Sequence, residues 1–152
     1  MNKIFKVLTI WFVLGMIYFV IEGLWRIPKG GYANIVMLPI GGFCGLIVGS
    51  INQMPMFYKM VVWKQAVIGT VLTLIIEYIT GYILNIKLGL EIWDYSNMAL
   101  NLNGQICLEF GIIWFLIMPT AIWLEDWIRW KFWKEGELYS LKTIYFNFIF
   151  QK

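Results

Sequence analysis

The sequence contains no histidine, which removes at once the commonest general base at neutral pH and the commonest metal ligand. It has only two cysteines, Cys44 and Cys107, each within or beside an apolar stretch. That placement argues against a disulfide framework and for two buried thiols. Charge is scarce: 14% of the 152 residues carry one, against roughly 25% in soluble domains. The basic residues form no run and no stripe, so the net charge of +3 points to no nucleic-acid partner. There is no glycine-rich phosphate loop ending in Lys-Ser or Lys-Thr, so the chain is not itself a P-loop ATPase. A serine nucleophile elbow and a Cys/His set at metal-ligand spacing are also missing. No cofactor, no metal and no enzymatic activity are therefore expected; an enzyme built from carboxylates alone has no positive signature here.

What the chain has instead is apolar surface. Apolar residues make up 61% and aromatic residues 18% of it, and the mean hydropathy is +0.72. A soluble fold of this length would have nowhere to place so much, whereas lipid-facing side chains are free to be apolar. Four stretches are near the ~20 residues that cross a hydrocarbon core, at about 4–24, 33–51, 66–86 and 106–124. They must be helices, because unpaired strands would leave backbone groups unsatisfied in lipid, and the alternation of a membrane barrel is absent. Lys3 and Lys6 precede the first stretch as in a signal peptide, but no small-residue cleavage site follows, so it reads as an uncleaved span. The expected fold is an all-α membrane protein. A bundle of about four transmembrane helices occupies residues 1–134, and an amphipathic cytoplasmic tail occupies 135–152.

Orientation follows from lysine and arginine. With four spans the termini and the middle loop share a side, which holds nine of these residues: Lys3, Lys6, Lys59, Lys64, Arg129, Lys131, Lys134, Lys142 and Lys152. The other side holds three, Arg26, Lys29 and Lys87. The excess places both termini in the cytoplasm of a plasma-membrane protein. Trp25, Trp63, Trp93, Tyr95, Trp123, Trp127, Trp130 and Trp133 fall near span ends, the depth that amphipathic rings favour. The run from Glu125 to Lys134 reads as a helix leaving the bilayer along its cytoplasmic surface, with Glu125 and Arg129 paired four residues apart. Leu138, Leu141, Tyr145 and Phe148 recur at helical spacing and suggest a second surface helix.

Three features are candidates for function. In the second span Gly41, Gly45 and Gly49 stack on one face and let another helix approach closely; Pro39, a turn earlier, is expected to kink it. They serve either as a packing groove or as the wall of a transport path. In the third span Gly69, Thr73, Glu77 and Gly81 form a small and polar stripe. A charge at mid-membrane costs roughly 3 kcal/mol, so Glu77 ought to face a helix or water rather than lipid. It is either an ion or substrate site or an interhelical hydrogen-bonding group. Glu22 and Glu109 lie at the outer ends of their spans and could converge on Glu77, although Arg26 is also one turn from Glu22 and could simply pair with it. The outward loop, Lys87 to Gln105, is too apolar for a solvated loop and either covers the bundle or dips into it. Its polar residues Asp94, Ser96, Asn101, Asn103 and Gly104 are donors and acceptors near the fourth span or ordinary turn chemistry.

At these residues the chain resembles a bacterial family described as putative ABC-transporter type IV, particularly its short members. The resemblance rests on Ile75-Ile76-Glu77-Tyr78-Ile79-Thr80-Gly81, Trp93-Asp94-Tyr95-Ser96 and Asn101-Leu102-Asn103-Gly104-Gln105-Ile106-Cys107-Leu108. Gly41-Gly42-Phe43-Cys44-Gly45 and the region from Trp123 to Arg129 add to it, so it runs to about Trp133. It implies a multi-span membrane protein and puts emphasis on Glu77, Gly81, Trp93, Asp94, Tyr95, Asn103, Gly104 and Cys107. One departure is Glu109, where the family pattern has proline after Cys-Leu. The resemblance implies a permease-like transport component in the bilayer, working with a separate ATPase subunit or other membrane chains. Four helices enclose little space, so an oligomer is expected. The alternative is a non-transporting membrane protein, an assembly or regulatory factor or a holin-like pore former.

Overall fold

The computed structural model describes residues 3–57 and 60–151. Five α-helices follow one another: α1 (Lys3–Arg26), α2 (Met37–Gly49), α3 (Val62–Gly81), α4 (Leu108–Trp133) and α5 (Leu141–Phe150). There is no strand among the described residues, only an isolated bridge between Leu102 and Ile106. A tighter turn, Ile27–Lys29, extends α1, and a wider π-type segment, Tyr82–Lys87, extends α3. With these extensions α1, α3 and α4 are each long and apolar enough to cross a membrane. Their outward faces stay apolar: Phe12, Val71, Ile75, Ile112 and Leu116 are each about half exposed.

The second apolar stretch yields a shorter helix than its hydropathy predicts. Its 13 residues rise about 20 Å, short of the ~30 Å core. The cause is at its start. Asn34 turns the chain, its side chain accepting from Val36 N at 3.0 Å and its carbonyl from Met37 N at 2.9 Å. Pro39 then falls in the first turn, where its missing N–H costs nothing, so it begins α2 and does not kink a longer span. The ends of the stretch nevertheless reach both ends of the bundle. Gly31 N donates to Arg26 O at the end of α1, and Asn52 donates to Asp126 near the end of α4.

α2 is the hub, packed on α1, α3 and α4, whereas α1 and α4 share a smaller contact. A Cβ at Gly15 would overlap the Leu38 carbonyl, one at Gly41 the Tyr18 ring, and one at Gly45 would sit 2.7 Å from Leu14. The small residues of the second stretch therefore seat α1. Gly49 instead faces Glu125, and Gly69 faces Met118.

Two further expectations change. The segment 125–134 is no separate surface helix; α4 continues unbroken to Trp133, about 39 Å in all, so its last turns extend past a ~30 Å core. The chain then reverses through Lys134 and Gly136, both at positive φ. α5 lies back against α4 and α3: Tyr145 Oη donates to Leu116 O at 2.9 Å, Phe148 packs on Phe115, and Val62 N donates to Gln151. Ser140 caps α5 by accepting from Thr143 N. Lys59 and Lys152, assigned above to the side of the termini, lie outside the described residues. Lys6 pairs with Glu135 at one end of the bundle, and Arg26 reaches Ile92 at the other.

Candidate functional site

Glu77 is 7% exposed, one turn before the end of α3, and its carboxylate accepts from Trp114 Nε1 of α4 at 3.0 Å. It thus faces a partner helix and not lipid. Trp114 stacks on Tyr18 of α1 at 5.9 Å between centroids, and Tyr18 fills the space Gly41 leaves. Three helices meet around one acid through two aromatic rings. Thr73, one turn earlier on α3, is 1% exposed and lines the same region.

One cavity adjoins this centre and a second lies farther along α1. The first, about 300 Å³, is lined almost wholly by apolar groups of α1, α2 and α4, with Tyr18, Trp114 and Thr73 on its wall and Gly41 and Gly45 at its back. The second, about 290 Å³, lies at the far end of α1 and mixes charge with aromatic rings: Glu22, Arg26, Lys29, Asp94, Trp25 and Tyr95 border it. Arg26 donates through Nε to Glu22 and through Nη1 to Ile92 O at 3.0 Å. Lys29 sits 3.8 Å over the Trp25 ring and has no carboxylate partner among the described residues. Burial holds the Tyr95 phenol above its usual pKa, and the carboxylates of Glu77 and Glu22 push in the same direction.

The predicted Glu22–Arg26 pair is present and borders the second cavity, whereas Glu77 lies against Trp114 and borders neither cavity. Glu109 does not join them: it is exposed and lines neither of these cavities.

The loop between α3 and α4 dips into the bundle end. Ile92 and Trp93 are buried against Met37, Ile40 and Cys44 of α2. Trp93 is thus no interfacial anchor; its indole donates to Gln105 O at 3.0 Å. Asn101 and Asn103 hold the loop itself. Asn101 donates to Ser96 O and Met98 O and accepts from Gly104 N, and Asn103 donates to Tyr78 Oη at 2.9 Å. Asp94 accepts from Ser96 N and Oγ, both at 2.8 Å. Gly104 is required twice over, at φ +69° and with the Asp94 carboxylate where a Cβ would go. Gly81 makes room for Gln105.

The sequence reading missed several of the groups that matter. Tyr18 and Trp114 carried no signal, since aromatic residues inside spans are common. Gln105 and Asn85 went unremarked, although they tie α3 to the loop: Asn85 donates to Gln105 Oε1 at 2.8 Å and accepts from Ile92 N at 2.7 Å. An amide within an apolar run, as Asn85 is, was the available clue. Asp126 was also passed over; it accepts from Asn52, Gln53 and Tyr139, binding the middle loop and the tail to α4. Among the described residues no group of acids and cysteines has metal-binding geometry.

An all-helical bundle with lipid-suited outer faces and an acid buried between helices defines a polytopic membrane protein, of the kind that places polar groups only where other helices cover them. Residues 5–149 match the sequence profile of the family described as putative ABC-transporter type IV, and the chain belongs to that family. The match runs through the tail, well past Trp133, where the motif resemblance ended. No characterised protein and no solved structure matches the chain at a significant level.

Proposed function

We propose that the chain is a permease-like subunit of a transport system in the plasma membrane, working with a separate ATPase subunit or other membrane chains. In this reading α1, α3 and α4 span the bilayer fully, and α2 with its flanking turns makes a short fourth crossing. A short apolar segment is accommodated by local thinning or by neighbouring helices at modest cost. Both termini, and the tail 135–152, then belong to the cytoplasmic side. The observation that carries the reading is Glu77: a carboxyl group kept out of lipid at the meeting point of three helices, bound to a tryptophan that lines an apolar cavity, in a member of the family described as putative ABC-transporter type IV. Its roles are to hold α3 against α4 and to offer a polar centre that Tyr18 and Trp114 shield. Thr73 lies one turn before it on α3, and Glu22, Trp93, Asp94 and Tyr95 line the second cavity farther along α1.

The test has two parts. Reporter fusions after Gly31, Asn97 and Gln151 should place only the last in the cytoplasm. Purification in mild detergent should bring down a nucleotide-binding subunit, and Glu77→Gln should weaken any growth phenotype that the intact gene restores to a deletion strain. A complex without an ATPase, together with full restoration by Glu77→Gln and Glu77→Ala, would sink the proposal. A second reading, a non-transporting assembly or regulatory factor, is favoured by the packing of Tyr18 and Leu14 into the glycine face, which uses that face for helix seating. A holin-like member of this class would depolarise the membrane on overexpression.

A further inference from the structure

We infer that the groove between α1 and α4 is a phospholipid site, with the acyl chain in the apolar cavity and a zwitterionic headgroup in the charged one. The two cavities are not independent. Along α1 the apolar one is bordered by Leu14, Tyr18 and Ile21, and the charged one begins at Glu22 and Trp25. Residues three, four and seven apart share a helix face, so these side chains form one continuous stripe. α4 repeats the order in reverse: Phe110 borders the charged cavity, and Trp114, Ile117 and Ala121 follow along the apolar one. α1 and α4 meet where Tyr18 stacks on Trp114 and where Ile10 and Leu14 pack with Ile128, and the cavity beside these contacts is floored by α2.

Length and charge select the occupant. From Leu14 to Trp25 the helix advances eleven residues, about 16 Å. Half of a ~30 Å hydrocarbon core is about 15 Å, so the stripe spans one leaflet, the one opposite the start of α1. At its polar end Lys29 and the remaining guanidinium edge of Arg26 offer donors to a phosphate, while Glu22 and Asp94 offer acceptors to an ammonium group. Trp25, at headgroup depth, is 53% exposed. Glu22 is bound to Arg26 and Asp94 to Ser96, yet each carboxylate keeps acceptor capacity; a lone fatty acid would use only the basic side, and a lone cation would meet Lys29. A phosphate joined to an amine, as in phosphatidylethanolamine, satisfies both. The apolar cavity, near 300 Å³, is at the small end of ligand clefts, in keeping with one chain and not two.

This inference stands whether or not the chain takes part in transport, and its test does not use transport. The full-length protein, purified in mild detergent, is titrated with phosphatidylethanolamine, phosphatidylglycerol, diacylglycerol of the same chains, or inorganic phosphate, and bound adducts are counted by native mass spectrometry. One phosphatidylethanolamine per chain is expected, held about tenfold more tightly than phosphatidylglycerol or diacylglycerol, with no adduct from phosphate alone. Ala121→Trp, which fills the apolar part, should lower retention about tenfold. Lys29→Glu, an exposed change that leaves the fold intact, should do the same and serves if Ala121→Trp does not fold. Equal retention of all three lipids overturns the headgroup assignment. Undiminished binding in the variants overturns the site itself. So does cross-linking of α1 to α4 of a second copy, which would make the groove an interface between chains.

Discussion

The bond between Trp114 and Glu77 can be measured by replacing each residue alone and both together. The indole N–H donates to a carboxylate oxygen at 3.0 Å, with Glu77 only 7% exposed. A buried hydrogen bond between neutral groups contributes about 0.5–1.5 kcal/mol, and one to a charged group about 1.5–3. Interhelical bonds in a membrane protein average nearer 0.6 kcal/mol and reach about 1.7, because the helices find other partners when separated. A coupling of about 1 kcal/mol between Glu77→Leu and Trp114→Phe is therefore expected. The loss of Tyr18 stacking in Trp114→Phe occurs in the single and the double variant alike, so it cancels from the cycle. Glu77→Gln keeps an acceptor oxygen and should cost little in the Trp114 background, whereas Glu77→Ala opens a cavity and should cost about 2–5 kcal/mol. The assay is reversible unfolding in mixed micelles, followed by near-ultraviolet circular dichroism. Additivity of the two single changes within about 0.3 kcal/mol would refute the role given to this bond. A Glu77→Gln variant as damaged as Glu77→Leu would show that charge, and not the acceptor, is what the site needs.

Gly15→Ala should destabilise by about 1–3 kcal/mol by the same unfolding assay, because the new methyl group would overlap a backbone carbonyl of α2 that cannot give way. Gly111→Ala is the control: its nearest neighbour would be Leu74 at 3.6 Å, and helix propensity should make it neutral or stabilising by up to about 1 kcal/mol. The docking of the tail should depend on pH at both ends of the range. Burial and the hydrogen bond to Asp126 raise the Tyr139 pKa, so its contribution is complete below the usual tyrosine value, about 10, and is lost as pH rises through the raised value. Lys6 lowers the Glu135 pKa, so that contribution is present above the usual glutamate value, about 4.3, and is lost as pH falls. Limited proteolysis after Glu135 should therefore be slowest near neutrality and faster at both extremes, and Tyr139→Phe should remove the alkaline limb.

What the sequence made legible was what lipid dictates. α1, α3 and α4 were visible because each puts some twenty apolar residues in a row, and no soluble core competes for that pattern. α2 was misjudged because hydropathy counts Pro39 and the residues beside Asn34 as interior, although their backbone chemistry makes them a helix start. The packing of the tail was hidden for a different reason. A ten-residue amphipathic helix presents the same apolar pattern to a lipid surface as to the side of a bundle, and the contacts that lay it against α4 and α3, from Tyr145, Phe148 and Gln151, join residues far apart in the chain. The site was legible one residue at a time: Glu77 as an acid in a span, Glu22 beside Arg26, the glycines by spacing. Their meeting through Trp114 and Tyr18 was not, since those contacts join residues far apart in the chain with no periodic signature between them.

The loop offers the sharpest separation between a local lock and general stability. Gln105 is 4% exposed and faces three ways: its side chain accepts from Asn85 at 2.8 Å and donates to Asn103 O at 3.0 Å, while its backbone carbonyl accepts from Trp93. Gln105→Ala leaves the backbone bond but removes the acceptor of the half-buried Asn85 amide, a cost of about 0.5–1.5 kcal/mol. Because Asn85 also accepts from Ile92 N, loosening it frees the segment that carries Ile92 and Trp93 into the bundle. Hydrogen exchange over residues 88–107 should rise accordingly, with α1 and α2 unchanged apart from the residues that Trp93 covers. Gln105→Glu keeps the acceptor for Asn85 and replaces the donor with an oxygen facing Asn103 O, so only the turn around Asn103 should loosen. If instead both variants raise exchange evenly across the helices, the loop is no independent closure, and the polar cluster beneath it is simply part of the bundle's core.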